Sequence, residues 1–458
     1  MVPKPAGNSI NALTAPQPSL LSKVGAPLMY VFVFLVISRV ADFWGSQFRL
    51  PLITGSLAVL LAIVNGGILR TLASRAGQFL ILFTIWMIAI TPLSYWRGGS
   101  VAMLTDQWSK ALMAFIMIVG LVQNLQQCRK VMSTMAVAVT AASLVVLYFG
   151  ETVADRLIAP IGMLNNPNDL AQILLLGLPF WFMLMGVQSR IPFRKAIVIL
   201  AIVPVLFAFF RTGSRGGTIG LAMMCLVVFF NVSFASRLKL LIAVLLVAGS
   251  VAAFIPDTIA ARFALTMDPV VSEEGYVDGI QASAAESSQQ RYSLFLESLW
   301  ITIQNPIFGV GPGQFQAYQA AKAGEENEYA MWRETHCTYT QISSENGVLG
   351  LVFYGGALLY CLLRTRRYYR MTRNRPETAD IAPLAFALYL SLVGFATTAS
   401  FSSVAYYVYF PTLAGVCTAF FHVVDEEMRA RGLTPGLSAA WRRTGGLPVA
   451  KTKAVAEV

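Results

Sequence analysis

The chain has 458 residues, 56% of them hydrophobic and only 12% charged, with a net charge of +11. Apolar runs long enough to cross a hydrocarbon core of roughly 30 Å recur along its whole length, which excludes a soluble globular domain. The runs do not alternate with a period of two, which excludes a membrane barrel, so the expected fold class is an all-α polytopic membrane protein.

Twelve spans are predicted in chain order: Leu28 to Trp44, Leu52 to Leu69, Phe79 to Trp96, Val101 to Val122, Val131 to Phe149, Leu170 to Val187, Ala196 to Phe210, Thr218 to Val232, Leu238 to Phe254, Val348 to Leu363, Ile381 to Ala399 and Val404 to Val424. Residues 1–27, rich in Pro, Ser and Ala and without a cleavable leader pattern, read as a disordered cytoplasmic tail. Residues 28–255 then hold nine spans, 256–342 a long periplasmic loop with a helical part, 343–424 the last three spans, and 425–458 a cytoplasmic tail.

Lys and Arg in the connections set the orientation. With the N-terminus inside, 23 of the 34 basic residues fall on the cytoplasmic side, including the cluster Arg364, Arg366, Arg367, Arg370, Arg373 and Arg375. The positive charge is therefore an orientation signal that also attracts anionic headgroups, and no basic patch with interleaved aromatics points to nucleic acid. Of five cysteines only Cys337 falls outside, so no disulfide framework is expected. Arg39 with Asp42 and Asp106 with Lys110 are spaced three and four apart, which predicts self-neutralising pairs near the outer end of the membrane. That spacing, and the lack of an internal repeat, argues against a transporter.

Two arginines lie where the positive-inside rule does not place them. Phe210-Arg211-Thr-Gly-Ser-Arg215-Gly-Gly connects the seventh and eighth spans on the outer face, and its small residues precede a helix N-terminus. Snorkelling to the headgroups is the alternative, but close backbone approach and partial positive charge favour an anion site. In the long loop a helix is predicted from Ser288 to Gln304, which puts Arg291 in its first turn. There the dipole opposes a cation, so a ligand contact is favoured over a solvated face. The following Gly309-Val-Gly-Pro-Gly313 lacks the Lys-Ser/Thr ending of a P-loop.

His336 lies just before the helix that re-enters the membrane at Ser343, and its near-neutral intrinsic pKa suits a general base. No second histidine, cysteine pair or carboxylate cluster stands at ligand spacing nearby, so no metal and no cofactor are expected. His422, at the inner end of the last span, reads as structural.

Four segments together carry a family resemblance: Gly162-Met-Leu-Asn-Asn166-Pro-Asn168-Asp-Leu-Ala, Thr212-Gly-Ser-Arg215-Gly-Gly, Arg291 before Asn305-Pro-Ile-Phe-Gly-Val-Gly-Pro-Gly313, and His336-Cys-Thr-Tyr339-Thr-Gln341-Ile-Ser-Ser-Glu345-Asn-Gly347. In this order the chain resembles the O-antigen ligase and polymerase superfamily of bacterial polysaccharide assembly, lipopolysaccharide included. The resemblance implies a metal-independent glycosyltransferase of the GT-C type in the bacterial inner membrane, with its active site facing the periplasm. It would move a glycan from undecaprenyl diphosphate to the hydroxyl of an acceptor glycolipid or glycan. Arg215 and Arg291 would clamp the donor diphosphate, Arg211 would add field, and His336 would take the acceptor proton. Tyr339 and Glu345 would orient the histidine or the acceptor, while Asn166 and Asn168 would either bind sugar or cap the sixth span. A polymerase would use the same donor; a transporter of lipid-linked glycan is the rival from another class.

Overall fold

The computed structural model describes residues 18–44, 46–153, 155–160, 162–186, 193–254, 279–322 and 333–433. Most of both predicted tails, and residues 255–278 and 323–332 of the long loop, lie outside the described residues.

Every predicted span is occupied by helix. In chain order these are α1 (Leu20–Ser38), α2 (Val40–Trp44), α3 (Leu50–Val64), α4 (Gly67–Ala73), α5 (Arg75–Ile90), α6 (Arg97–Ala102), a π-helical turn (Met103–Trp108), α7 (Ser109–Leu121), α8 (Leu125–Phe149), α9 (Pro167–Gly186), α10 (Arg194–Arg211), α11 (Arg215–Asn231) and α12 (Phe234–Phe254). After them come α13 (Gly279–Gln304), α14 (Phe315–Lys322), α15 (Thr338–Thr372), α16 (Ala382–Thr398) and α17 (Tyr409–Ala430). Five helices are long and apolar enough to cross a bilayer singly, or six when α3 and α4, bent by 70°, count as one span. The chain is a multi-pass membrane protein. It departs from purely helical structure in a two-stranded hairpin, in which Glu151–Val153 (β1) pairs antiparallel with Arg156–Ile158 (β2).

The first helix begins at Leu20 rather than Leu28, because Ser19 caps it by accepting from the Ser22 amide at 3.1 Å. Arg39 and Asp42 pair at 2.7 Å, with Arg39 at φ 57° in the break between α1 and α2. Asp106 and Lys110 form no ion pair among the described residues; both are exposed, where solvation competes with direct pairing.

The innermost helix is α17. Phe410, Leu413, Ala414, Val416, Cys417, Phe420 and Val424 are all fully buried, and from Tyr409 to Phe421 every residue is covered, as an all-round apolar segment must be. It packs on α7 and α15, while α16 packs on α9, α11 and α15. Large apolar side chains on outer helices stay exposed, Leu200 at 75% and Leu245 at 71%, as expected of surface that faces lipid.

One helix positions the site. The 35 residues of α15 have His336 just before one end and the Arg364–Arg373 cluster at the other. It is broken at Gly347 (φ 69°), where an added Cβ would lie 1.9 Å from the Ile307 carbonyl oxygen. The Val348 amide donates to the Pro306 carbonyl at 2.8 Å at this break.

Candidate functional site

The segment before α15 folds back against the turn between α16 and α17. The Thr338 amide donates to the Ala399 carbonyl (2.8 Å), its hydroxyl donates to the Ser402 carbonyl (2.6 Å), and the Val404 amide donates to that hydroxyl (3.1 Å). Ser403 completes the clasp: its Oγ accepts from the His336 amide at 2.8 Å and shares a 3.0 Å hydrogen bond with the Thr335 hydroxyl. These contacts hold His336 at φ 53°, a left-handed conformation that costs a non-glycine residue about 1–3 kcal/mol. Strain of this kind persists only where the surroundings over-determine it.

His336 opens into a cavity of about 380 Å³ lined by Asn166, Gln290, Arg291, Leu294, Gln316, Arg333, Glu334 and His336. Two guanidinium groups, a carboxyl group and an imidazole thus converge on one space. Burial, and secondarily the charge of Arg291, lower the His336 pKa to about 4, so the ring is neutral at pH 7. Burial raises the pKa of Glu334.

Arg291 comes to the cavity by a different route from the one its sequence position predicts. The helix does not start at Ser288 but at Gly279, so Arg291 lies in its interior and the dipole argument does not apply. An arginine within a helix is placed by the face it occupies. Here that face looks into the cavity, and Leu294, one turn on, lines it too.

The other predicted residues divide. Asn166 lines the cavity and its side chain accepts from the Asn168 amide at 2.9 Å, so it also caps α9. Asn168 is buried, and its Oδ1 accepts from Ser214 (2.8 Å) and Arg156 (3.0 Å). Arg156 also donates to the Thr212 carbonyl at 2.8 Å, tying the hairpin and the start of α9 to the turn that carries Arg215. Arg215 is the first residue of α11, capped by Ser214, whose Oγ accepts from Gly217 at 3.1 Å. Gly216 lies against Phe401, next to the serines that hold His336. Arg215 therefore stands at the same end of the bundle as the cavity without lining it, and Arg211, the last residue of α10, does not line it either.

Tyr339 and Glu345 are turned to other partners. The Tyr339 hydroxyl donates to the Ala396 carbonyl at 2.7 Å, which fastens α15 to α16. The buried Glu345 accepts from the amides of Gly313 (3.1 Å) and Phe315 (3.2 Å) and from the Tyr406 hydroxyl. The glycine-rich turn is therefore a socket for an internal carboxylate, not a cradle for a ligand phosphate. Its backbone is pinned as well: Val310 and Gly311 donate to the carbonyls of Ser344 and Glu345 at 2.9 Å each. At Gly309 (φ 66°) a Cβ would lie 2.4 Å from the Glu345 carbonyl carbon.

Sequence reasoning missed Arg156, Arg333, Glu334, Gln290 and Gln316. Arg333 and Glu334 stand two or three residues before the predicted histidine, a proximity that could have drawn attention to them. Nothing in the sequence marks Arg156 or Gln316.

The family model of the O-antigen ligase matches residues 196–355. Over this segment, about a third of the chain, it is similar to the O-antigen ligase family. The matched segment contains Arg211, Arg215, Arg291 and His336, while Asn166 and Asn168 precede it and are brought to it by the fold. No match to the chain is found among curated proteins.

Proposed function

We propose that the chain transfers a glycan from undecaprenyl diphosphate to an acceptor hydroxyl at the outer face of the bacterial inner membrane, as a metal-independent ligase of the GT-C type. The observation that carries this reading is the single cavity that joins His336 to Arg291, Arg333 and Asn166. Planar guanidinium groups match phosphate oxygens with two hydrogen bonds each, and they stabilise the charge that develops on a departing diphosphate. Arg291 and Arg333 do this from the cavity wall, and Arg215 adds positive charge at the same end of the bundle.

In the reaction, the acceptor oxygen forms the new bond to the anomeric carbon while the bond from that carbon to the diphosphate oxygen breaks. The electron pair leaves with undecaprenyl diphosphate. The acceptor proton passes to the neutral His336 and from there to solvent, which regenerates the base. Long-chain products assembled on the carrier would instead mark a polymerase with the same donor site.

The test uses the purified enzyme with a lipid-linked glycan donor. His336→Ala should lower the rate about 10²- to 10⁴-fold, the usual range for lost general-base catalysis, and leave undecaprenyl diphosphate binding near normal. Arg291→Ala should abolish transfer and weaken that binding, with Lys a poor substitute because a point charge cannot reproduce a fork, whereas Arg215→Ala should weaken transfer and Arg215→Lys should largely restore it, because there only the charge is used. Activity should survive chelator. Loss of donor affinity in His336→Ala would move the histidine into the diphosphate site, and metal-dependent recovery after chelation would end the metal-free mechanism.

A further inference from the structure

A second cavity, of about 170 Å³, adjoins the first, and the two share Gln316 and Glu334. Their chemistry differs. Where the first is walled by arginines and His336, the second has no lysine, arginine or histidine among its lining residues. It presents Gln107, Gln316, Gln341, Ser403, Tyr407 and the carboxyl group of Glu334. Its other carboxyl group, on Glu345, is already held by two amides and the Tyr406 hydroxyl. An anion placed here would meet Glu334 with no cation to offset it, and burying such a charge is costly. A neutral ring bearing hydroxyl groups would find amide donors and acceptors and a tyrosine face.

Part of the second cavity's wall is built by the π-helical turn Met103–Trp108, from which Met103 and Gln107 both line the cavity. Turns of this kind concentrate at functional sites. This one is anchored: Trp108 is buried, donates to the Thr84 hydroxyl at 2.8 Å and meets the Phe83 ring edge-on. Gln107 remains exposed on it, and among the described residues its amide has no hydrogen-bond partner. Gln341 gives its Oε1 to the Ala405 amide at 3.3 Å, which leaves its NH₂ as a donor. Ser403, shared between this wall and the backbone of His336, links the second cavity to the base.

We propose that the second cavity receives the acceptor as an uncharged sugar ring, with the reacting hydroxyl directed past Glu334 toward His336, and that Gln107 selects it. The proposal rests on the transferase reading. It separates the two substrates by charge: diphosphate among the arginines, neutral sugar among the glutamines. At about 170 Å³ the cavity is below the about 300–1,000 Å³ of pockets that enclose a whole ligand, so it holds one ring of a longer acceptor.

The experiment uses the purified full chain in nanodiscs, an undecaprenyl-diphosphate-linked glycan as donor, and the glycolipid extract of cells lacking the enzyme as acceptor. Gln107→Ala should raise the extract concentration for half-maximal rate about tenfold, the effect of losing one good hydrogen bond, with the donor requirement and the maximal rate unchanged. Gln107→Glu should be milder than Gln107→Ala, because a carboxylate still accepts from a sugar hydroxyl. Maleimide labelling of Gln107→Cys should be slowed by the extract and not by undecaprenyl diphosphate, and mass spectrometry should find the new linkage on an uncharged sugar. A raised donor requirement in Gln107→Ala, or labelling blocked by undecaprenyl diphosphate, would assign the cavity to the donor. A Gln107→Glu variant worse than Gln107→Ala, or a linkage to a phosphorylated sugar or a protein hydroxyl, would overturn the acceptor class. If the wild-type chain glycosylates nothing in the extract, the transferase reading falls, and the labelling arm still decides whether the cavity binds the glycolipid.

Discussion

His336 is neutral over most of the accessible pH range, and that sets the expected pH dependence. Its pKa of about 4 lies below the ordinary histidine value, so the free enzyme holds the base form at any pH above about 5 and loses it only as pH falls through 4. The acid limb of kcat/KM should therefore lie near pH 4, with little change between pH 6 and 8. A bound diphosphate offsets the charge of Arg291, one of the two causes of the depression, so the acid limb of kcat should sit at higher pH than that of kcat/KM. In Arg291→Gln, which lacks turnover, the pKa of the His336 imidazole followed by NMR titration should rise only part of the way to the normal value, because burial is the larger cause. A limb near 6.5 in the wild-type free enzyme would show that His336 is solvated and not enclosed as described. Residue by residue, the polar atoms of the four motifs have different tasks: Asn168 joins two motifs and Glu345 fills a glycine socket, while Asn166 and His336 are turned into the cavity.

The elements that shape the site are the irregular ones. Gly347 breaks α15 where the glycine turn crosses it, and no other residue fits there, since φ is 69° and a Cβ would lie 1.9 Å from the Ile307 oxygen. Gly347→Ala should destabilise the protein by more than about 3 kcal/mol, combining left-handed strain with a backbone clash. Thermal unfolding in detergent followed by size-exclusion chromatography reads this directly; a midpoint within a degree of wild type would mean that the helix can relax the break without cost. The π-helical turn has the same character. It interrupts a long apolar segment that reads as an ordinary span, and it carries the one exposed glutamine assigned to the acceptor wall.

Across the whole molecule, His336 and the Arg364–Arg373 cluster stand at opposite ends of α15, a helix long and apolar enough to cross a membrane. The exposed Arg366 and the exposed Lys322 should lie on opposite sides of it, because α15 carries the arginine cluster at the end away from His336, whereas α13 and α14 belong to the His336 end. In intact cells an impermeant maleimide should modify Lys322→Cys and not Arg366→Cys. The background is low, since four of the five native cysteines are buried and Cys225 is half-buried. Labelling of Arg366→Cys alone would invert the orientation and remove the cavity from the outer face, and with it the proposed reaction.

The membrane class and the helical character of the apolar runs follow from the sequence by itself, because the bilayer sets the length an apolar run must have and internal hydrogen bonding makes it a helix. The residues of the resembling motifs could be named in the same way. What each of them touches was decided only by the tertiary structure. Asn168 meets Ser214 across 46 positions, Glu345 meets Gly313 across 32, and His336 meets Ser403 across 67. The sequence places Arg291 at the start of a helix whose interior it occupies, and casts Glu345 as orienting the histidine or the acceptor, whereas its carboxylate is held by the glycine turn and Tyr406. The reason is physical: an apolar run needs only its own length to find its place, whereas a polar side chain is defined by its hydrogen-bond partner, and here that partner comes from a different helix or loop.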